Sequence, residues 1–229
     1  MNLRLSVQIP DYPFRISHQD CIFSMGSCFA AHIGERLSAH KFSLVSNPFG
    51  IVYNPASIHK ALQLLLTDYQ FSESDFFQQG ELWHSYYHHG QFSGTNLAKA
   101  IIRVQTSAQH ARQYLRRCNR LLLTLGTAQV YTLKTRGEIV ANCHKMPRQA
   151  FDKRRLSVAE IVAYLQPVLA QLRASSQDFQ CILTVSPVRH WRDGLVENQR
   201  SKSALLLAAA ELSDTLDYVH YFPAYEWII

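Results

Sequence analysis

The sequence has little that could cross-link a fold covalently or through a metal. Its five cysteines are scattered, odd in number and never paired as Cys-x-x-Cys. This pattern argues against a disulfide framework and a structural zinc site, so we expect free thiols in a reducing compartment. The nine glycines never cluster, which argues against a phosphate-binding glycine-rich loop.

Long apolar stretches are also missing. The longest run, residues 204–210, has about seven residues, whereas a transmembrane helix needs roughly twenty. Residues 1–6 lack the apolar core of a secretory signal peptide. We therefore expect a cytoplasmic protein with no membrane span.

Positive charge is in excess, with a net charge of +6 at pH 7. Basic residues concentrate in residues 112–120, 145–155 and 189–192. Such clusters either form a solvated basic face or attract nucleic acid, anionic lipid or acidic glycans. No recognisable nucleic-acid-binding module accompanies them, so we expect no nucleic-acid partner.

Length and composition predict one domain, residues 1–229, because 47% of the residues are hydrophobic and can form a sizeable core. Short apolar runs that resemble buried strands alternate with segments of helical character. We predict strands at residues 21–25, 121–125, 181–185 and 218–222, and a hairpin at residues 130–133 and 138–141. We predict helices at residues 28–40, 55–69, 96–118, 157–174 and 200–216, and a long loop with at most one strand at residues 70–95. This alternation is typical of an α/β fold with a parallel sheet covered by helices.

Small polar residues follow three of the predicted strands. They are Ser27 after Gly26, Thr127 after Gly126, and Ser186. Ligands of parallel sheets bind beyond the carboxyl ends of the strands, so we expect these residues to converge at one edge. A serine between a strand and a helix suits nucleophilic attack, since the helix N-terminus stabilises negative charge; the alternative is an ordinary N-cap.

The serine lies in a motif, Gly-Ser-Cys-Phe-Ala at residues 26–30, and further motifs follow it in order. They occupy residues 47–55, 124–128, 141–145, 185–190, 197–202 and 221–226. On these motifs, which extend from about residue 20 to the end, the sequence resembles the GSCFA domain family.

The resemblance implies a branch of the SGNH/GDSL hydrolases, which are three-layer α/β/α proteins with a mostly parallel, flavodoxin-like sheet. Many of those proteins are esterases that act on acylated lipids or sugars. By resemblance, Ser27 is the nucleophile, and the amides of Ser27 and Gly50 hold the oxyanion. The family's usual asparagine does not follow Gly126, so the side chain of Thr127 or Asn142 would complete the oxyanion site.

The general base is harder to assign. SGNH hydrolases take it from an Asp-x-x-His after the last strand, and here that spacing occurs only at Asp217 and His220. These two residues lie in an apparent strand, where positions three apart face opposite sides. We therefore expect the base in a catalytic segment past Ile229, which the chain would then lack, or at another histidine. His190 is better placed for this role than His144.

The remaining candidates bind substrate. They are Asn54, His144, Lys145, Ser186 and Arg189. The basic residues among them suggest an anionic or glycan ester, and we expect a small-molecule or glycan ester substrate and no cofactor. A metal site at His84, His88 and His89 is a weaker interpretation than a polar, aromatic cleft lining. The rival function is a noncatalytic binding domain that keeps the fold and the serine but lacks the base.

Overall fold

Strands and helices alternate along residues 10–228, the part of the chain that the computed structural model describes. The strands are β1 (Ile22–Gly26), β2 (Leu44–Ser46), β3 (Phe76–Gln79), β4 (Leu82–Ser85), β5 (Arg120–Leu125), β6 (Gln129–Leu133), β7 (Glu138–Val140), β8 (Phe151–Arg155), β9 (Gln180–Val185) and β10 (Val219–Tyr221). The α-helices are α1 (Cys28–Ala39), α2 (Pro55–Leu66), α3 (Leu97–Leu115), α4 (Val158–Ser175), α5 (Leu195–Thr215) and α6 (Ala224–Ile228). Residues 1–6, on which the prediction of no signal peptide rests, lie outside the described residues.

The central sheet has five parallel strands in the order β10-β9-β5-β1-β2. Counted among these strands alone, this is the flavodoxin-like order 2-1-3-4-5. All five residues of β1 are buried, as expected for a strand covered on both faces. The sheet confirms the α/β class predicted from the apolar runs.

Helices cover both faces of this sheet. The crossover from β1 to β2 runs in one direction, and the crossovers from β2 to β5, β5 to β9 and β9 to β10 run in the other. Because parallel crossovers are right-handed, α1 lies on one face and α2 to α5 on the opposite face. Within that second layer α2 packs against α3 and α4, and α4 packs against α5. The result is the three-layer α/β/α sandwich that we predicted.

Two smaller sheets lie outside the central one. β3 and β4 pair antiparallel within residues 70–95, where we predicted a loop with at most one strand. Gly80, with a φ of 59°, makes the tight turn between them, but the polar residues of both strands obscure the alternation that marks a hairpin. β6 pairs with β7 as predicted, and also with β8, whose charged sequence gave no strand signal.

Helix α5 begins at Leu195, earlier than the predicted start at residue 200. Gly194, with a φ of 79°, ends the preceding turn and lets the helix start directly. We had placed Asn198 before the helix, whereas it lies in the first turns. This difference matters because Asn198 shares one helical face with Ser201 and Lys202.

No helix among residues 10–228 is long and apolar enough to cross a membrane.

Gly26 is the last residue of β1 and occupies a position where no side chain would fit. Its φ is 145°, and an added Cβ would lie 2.1 Å from the carbonyl oxygen of Thr124 on the neighbouring strand. We expect Gly26→Ala to lower the free energy of unfolding by about 3 kcal/mol or more, because backbone strain adds to a clash. Urea unfolding followed by circular dichroism measures this.

Gly94→Ala is the matched control. It has no neighbour within 4 Å of an added Cβ and no left-handed φ, so we expect a change within about 0.5 kcal/mol. Equal losses in both variants would contradict the steric role of Gly26.

Candidate functional site

The candidate site lies at the rim, which we define as the carboxyl ends of β1, β5 and β9 with the residues that follow them. Crossovers leave β1 and β5 in opposite directions, so a topological switch point lies between these two strands. A crevice for ligands is expected at such a point.

Residues 47–54 run along this rim and connect β1 with β5. Asn47, in the left-handed region at a φ of 46°, accepts the Gly26 amide on its side-chain oxygen at 2.8 Å. The carbonyl of Tyr53 accepts the Gly126 amide, also at 2.8 Å. Since one segment bonds to both strand ends, it fixes their spacing.

Ser27 follows β1 directly and is the N-cap of α1. Its Oγ accepts the amide of Phe29 at 3.2 Å. The residue is 1% exposed. Ser27 therefore occupies the predicted strand-to-helix turn and also acts as the N-cap, with a hydroxyl that is closed to solvent in this arrangement.

Ser27, Tyr53 and His190 pack around the same glycine. An added Cβ on Gly126 would lie 3.1 Å from Cδ1 of Tyr53 and 3.3 Å from Cβ of Ser27. The His190 ring meets the Tyr53 ring edge-on, with 5.4 Å between centroids. The imidazole also interacts with the backbone of Gly126. The absent side chain of Gly126 is what lets these three residues approach one another.

A cavity of about 590 Å³ lies beside this glycine. Of the predicted site residues, its lining includes Asn54, Thr127, Asn142, Arg189 and His190. Aromatic residues that we did not single out, Tyr53, Tyr131 and Trp191, complete much of the rest. Aromatic surface with a few amide, imidazole and guanidinium groups is typical of small-molecule sites.

The two backbone amides predicted to hold the oxyanion are engaged elsewhere. The Ser27 amide donates to the carbonyl of Thr124 at 3.1 Å, and the Gly50 amide donates to that of Asn47 at 2.7 Å. Gly50 lines a different depression, between α1 and β2. Their role as oxyanion donors stays a prediction, and it requires these hydrogen bonds to break.

The two predicted side-chain donors differ in availability. The Thr127 hydroxyl lies 3.0 Å from the Ser201 hydroxyl, in a buried pair. The Asn142 side-chain oxygen accepts the His144 amide at 2.8 Å. Within residues 10–228 the Asn142 NH₂ group has no hydrogen-bond partner, and the residue lines the cavity. Asn142 is therefore the donor with free capacity.

His190 follows β9 and lines the cavity. Its amide donates to the side chain of Asn198 at 2.8 Å, which fixes the loop that carries it. Burial lowers the pKa of His190, and the nearby charge of Lys202 lowers it further. The imidazole is therefore neutral at pH 7, the form that accepts a proton. Within the described residues no hydrogen bond joins this ring to the Ser27 hydroxyl.

Three residues on one face of α5, Asn198, Ser201 and Lys202, support the rim. Asn198 holds the His190 loop, and Ser201 accepts the Ala128 amide at 2.7 Å. Lys202 bonds to the ends of both β5 and β9. In the sequence these residues belong to the motif at residues 197–202 and have no assigned role. The signal that could have shown their burial is the spacing of the three residues, which continues the buried face of α5 toward the N-terminus of the helix.

Ser186 and Arg189 lie at different depths. Ser186 is fully buried, its hydroxyl accepts the Val188 amide at 3.3 Å, and it is not part of the cavity lining. Arg189 lines the cavity, with its guanidinium 5.9 Å from the ring centroid of Trp191. His220, of the Asp217 and His220 pair, lies away from the rim. It bonds at 2.7 Å to the side chain of Gln180, the first residue of β9, whereas the rim lies at the other end of that strand.

His144 and Lys145 line a second cavity, of about 470 Å³, which shares Asn142 with the first. His144 Nε2 donates to the Ser85 carbonyl at 2.8 Å, and its ring lies 4.6 Å from that of His84. Within residues 10–228 no three histidine, cysteine or carboxylate side chains are grouped as a metal would require.

Comparison with known proteins gives one family. The model of the GSCFA family matches residues 21–229. No curated protein and no solved structure matches the chain.

Two buried histidines near the second cavity predict an acid sensitivity. Burial lowers the pKa of His88 to about 3 and that of His144 to about 4. In the unfolded chain both imidazoles bind a proton at about pH 6.5, whereas in the folded protein they stay neutral to a lower pH. Protonation therefore favours the unfolded chain, and stability is lost as the pH falls below about 6.5. We expect a slope of up to about 1.4 kcal/mol per pH unit for each imidazole, measured by urea unfolding between pH 6.5 and 4.5.

His88→Phe keeps a ring stacked on Phe49 and removes one of the two groups, so this slope should decrease by up to about 1.4 kcal/mol per pH unit. His110→Gln, at an exposed position of α3, should leave the slope unchanged. The same slope in His88→Phe as in the wild type would contradict the assignment.

Proposed function

This chain belongs to the GSCFA family, and on that basis we propose that it is an SGNH-type serine hydrolase of an acyl ester. The observation that carries the proposal is the position of Ser27. It lies at the end of β1, at the N-terminus of α1 and at the switch point of the sheet. Such a place binds ligands and stabilises developing negative charge.

In the proposed reaction the Ser27 hydroxyl attacks the ester carbonyl while His190 takes its proton. The resulting oxyanion faces the N-terminus of α1, with the Asn142 NH₂ group as side-chain donor. Collapse breaks the bond to the alcohol, which leaves with the proton from His190. Water then cleaves the acyl-serine by the same route and releases the acid.

The reaction requires Ser27 to become accessible. The residue is closed to solvent, and the Tyr53 ring, which lines the cavity, packs at the same Gly126 turn as Ser27. The proposal therefore includes a movement of the Tyr53 side chain away from this turn when substrate binds.

The cavity supports an anionic or carbohydrate ester as substrate. Arg189 and Arg192 line it, and within the described residues Arg192 has no hydrogen bond or ion pair. Arginine binds carboxylate and phosphate groups in two-point contacts, and aromatic rings such as those of Tyr131 and Trp191 offer flat surface to sugars.

A second candidate is a noncatalytic binding domain with the same cavity. It is favoured by the burial of Ser27, whose hydroxyl is used as an N-cap, and by the internal hydrogen bonds of the Ser27 and Gly50 amides. In this case the cavity binds an ester or glycan without cleaving it.

A fluorophosphonate probe separates the two candidates. We expect covalent labelling of the folded wild type at Ser27, lost in Ser27→Ala. His190→Asn should slow labelling by about 100-fold or more, because the base is removed. Mass spectrometry of the labelled peptide identifies the site.

Ser38→Ala is the matched control, since Ser38 is an exposed serine on the same helix. It should label like the wild type. A folded wild-type protein that does not react, yet binds ester or glycan ligands, would establish the noncatalytic domain instead.

A further inference from the structure

Lys202 is a buried lysine without an acidic partner. It is fully buried, and its Nζ donates to the carbonyl oxygens of Gly126 and Ser186, each at 2.6 Å. Within residues 10–228 it forms no salt bridge. An unpaired buried ammonium costs several kcal/mol, which two hydrogen bonds offset only in part. A charge retained at such a cost indicates a use at this place.

The Lys202 ammonium acts on the rim through Gly126. The carbonyl of this residue accepts from Nζ, and a hydrogen bond between the His190 imidazole and the backbone of the same residue raises the pKa of His190, whereas the Lys202 charge lowers it. Burial lowers the pKa of Lys202 to about 8, so the group is still charged at pH 7. His190 therefore titrates beside a positive charge.

Other charged groups near the two residues act in both directions. Asp193 raises the pKa of His190 and Lys153 lowers it, and these two residues form an ion pair with each other. Cys28, at the N-terminus of α1, interacts electrostatically with Lys202 and with Tyr53.

We propose that Lys202 is a positioning residue of the rim, whose ammonium ties the turn after β5 to the end of β9 and places a positive charge beside the His190 imidazole. Its use in catalysis rests on the proposed function, but the electrostatic effect does not. In the proposed reaction the neutral imidazole takes the Ser27 proton and, beside a second cation, readily passes it to the leaving alcohol. The same charge favours the oxyanion.

The test is an NMR titration of the His190 ring in the wild type, in Lys202→Met and in Ser201→Ala. Methionine fills a similar volume without charge, so the His190 pKa should rise by about one unit. Ser201→Ala removes a neutral hydrogen bond to the Thr127 turn, one helical position away, and should shift it by less than about 0.3 units.

An unchanged His190 titration in folded Lys202→Met would overturn the proposal, as would an equal rise in Ser201→Ala. If Lys202→Met does not fold, the wild type is titrated instead, and the NMR signals of its ¹³C-labelled lysine Cε atoms are followed together with those of the His190 ring. One lysine that titrates near pH 8, with the His190 signal moving at the same pH, supports the proposal. Lysine signals that all titrate without any accompanying movement of the His190 signal refute it.

Kinetics separate this proposal from the proposed function. Where the wild type hydrolyses an ester, the acidic limb of its kcat/KM profile should move to higher pH by about one unit in Lys202→Met. If no variant hydrolyses any ester, the proposed function fails, and the titration still decides the role of Lys202.

Discussion

The hydrogen-bonded turn at Gly126 is the constraint on which the rest of the site depends. The Gly126 amide donates to the Tyr53 carbonyl, and the Gly126 carbonyl accepts from Lys202. Because glycine has no side chain, Ser27 and Tyr53 have space to pack against this turn. Segments from four parts of the chain thus meet at one residue. Any side chain there would separate the serine from the aromatic and imidazole groups around it.

Much of the fold could be predicted because most residues of β1, β5 and β9 are buried and apolar, as expected for strands covered on both faces. The same regularity placed Ser27 and Thr127 at one edge. Strand β2, the hairpin of β3 and β4 and strand β8 were missed. Strand β2 has only three residues, and exposed strands carry polar side chains that resemble a loop. The predicted start of helix α5 was too late. Asn198 and Lys202 are buried in its first turns, but their polar side chains do not indicate an interior position in the sequence.

The finer geometry of the site depends on long-range contacts that no local pattern encodes. Gly50 lines a different depression from Asn142 and His190, and its amide is bonded to Asn47, whose side chain holds the end of β1. Ser27 packs beside Gly126, about a hundred positions later in the sequence. A motif identifies which residues belong together, but only packing decides which atoms are exposed.

The two bonds that Tyr53 accepts on its carbonyl have a kinetic consequence. Amides of Gly126 and Thr127 both donate to it, so the main chain at this position is anchored to β5. Within the described residues no hydrogen bond holds the Tyr53 hydroxyl, so the phenol ring can move by rotation about its side-chain torsions if its edge-on contact with His190 is released. Uncovering the serine would then need no loop displacement, and rotamer changes are generally faster than loop or domain motions. Rotation of the Tyr53 ring would then control how fast a ligand in the cavity reaches Ser27.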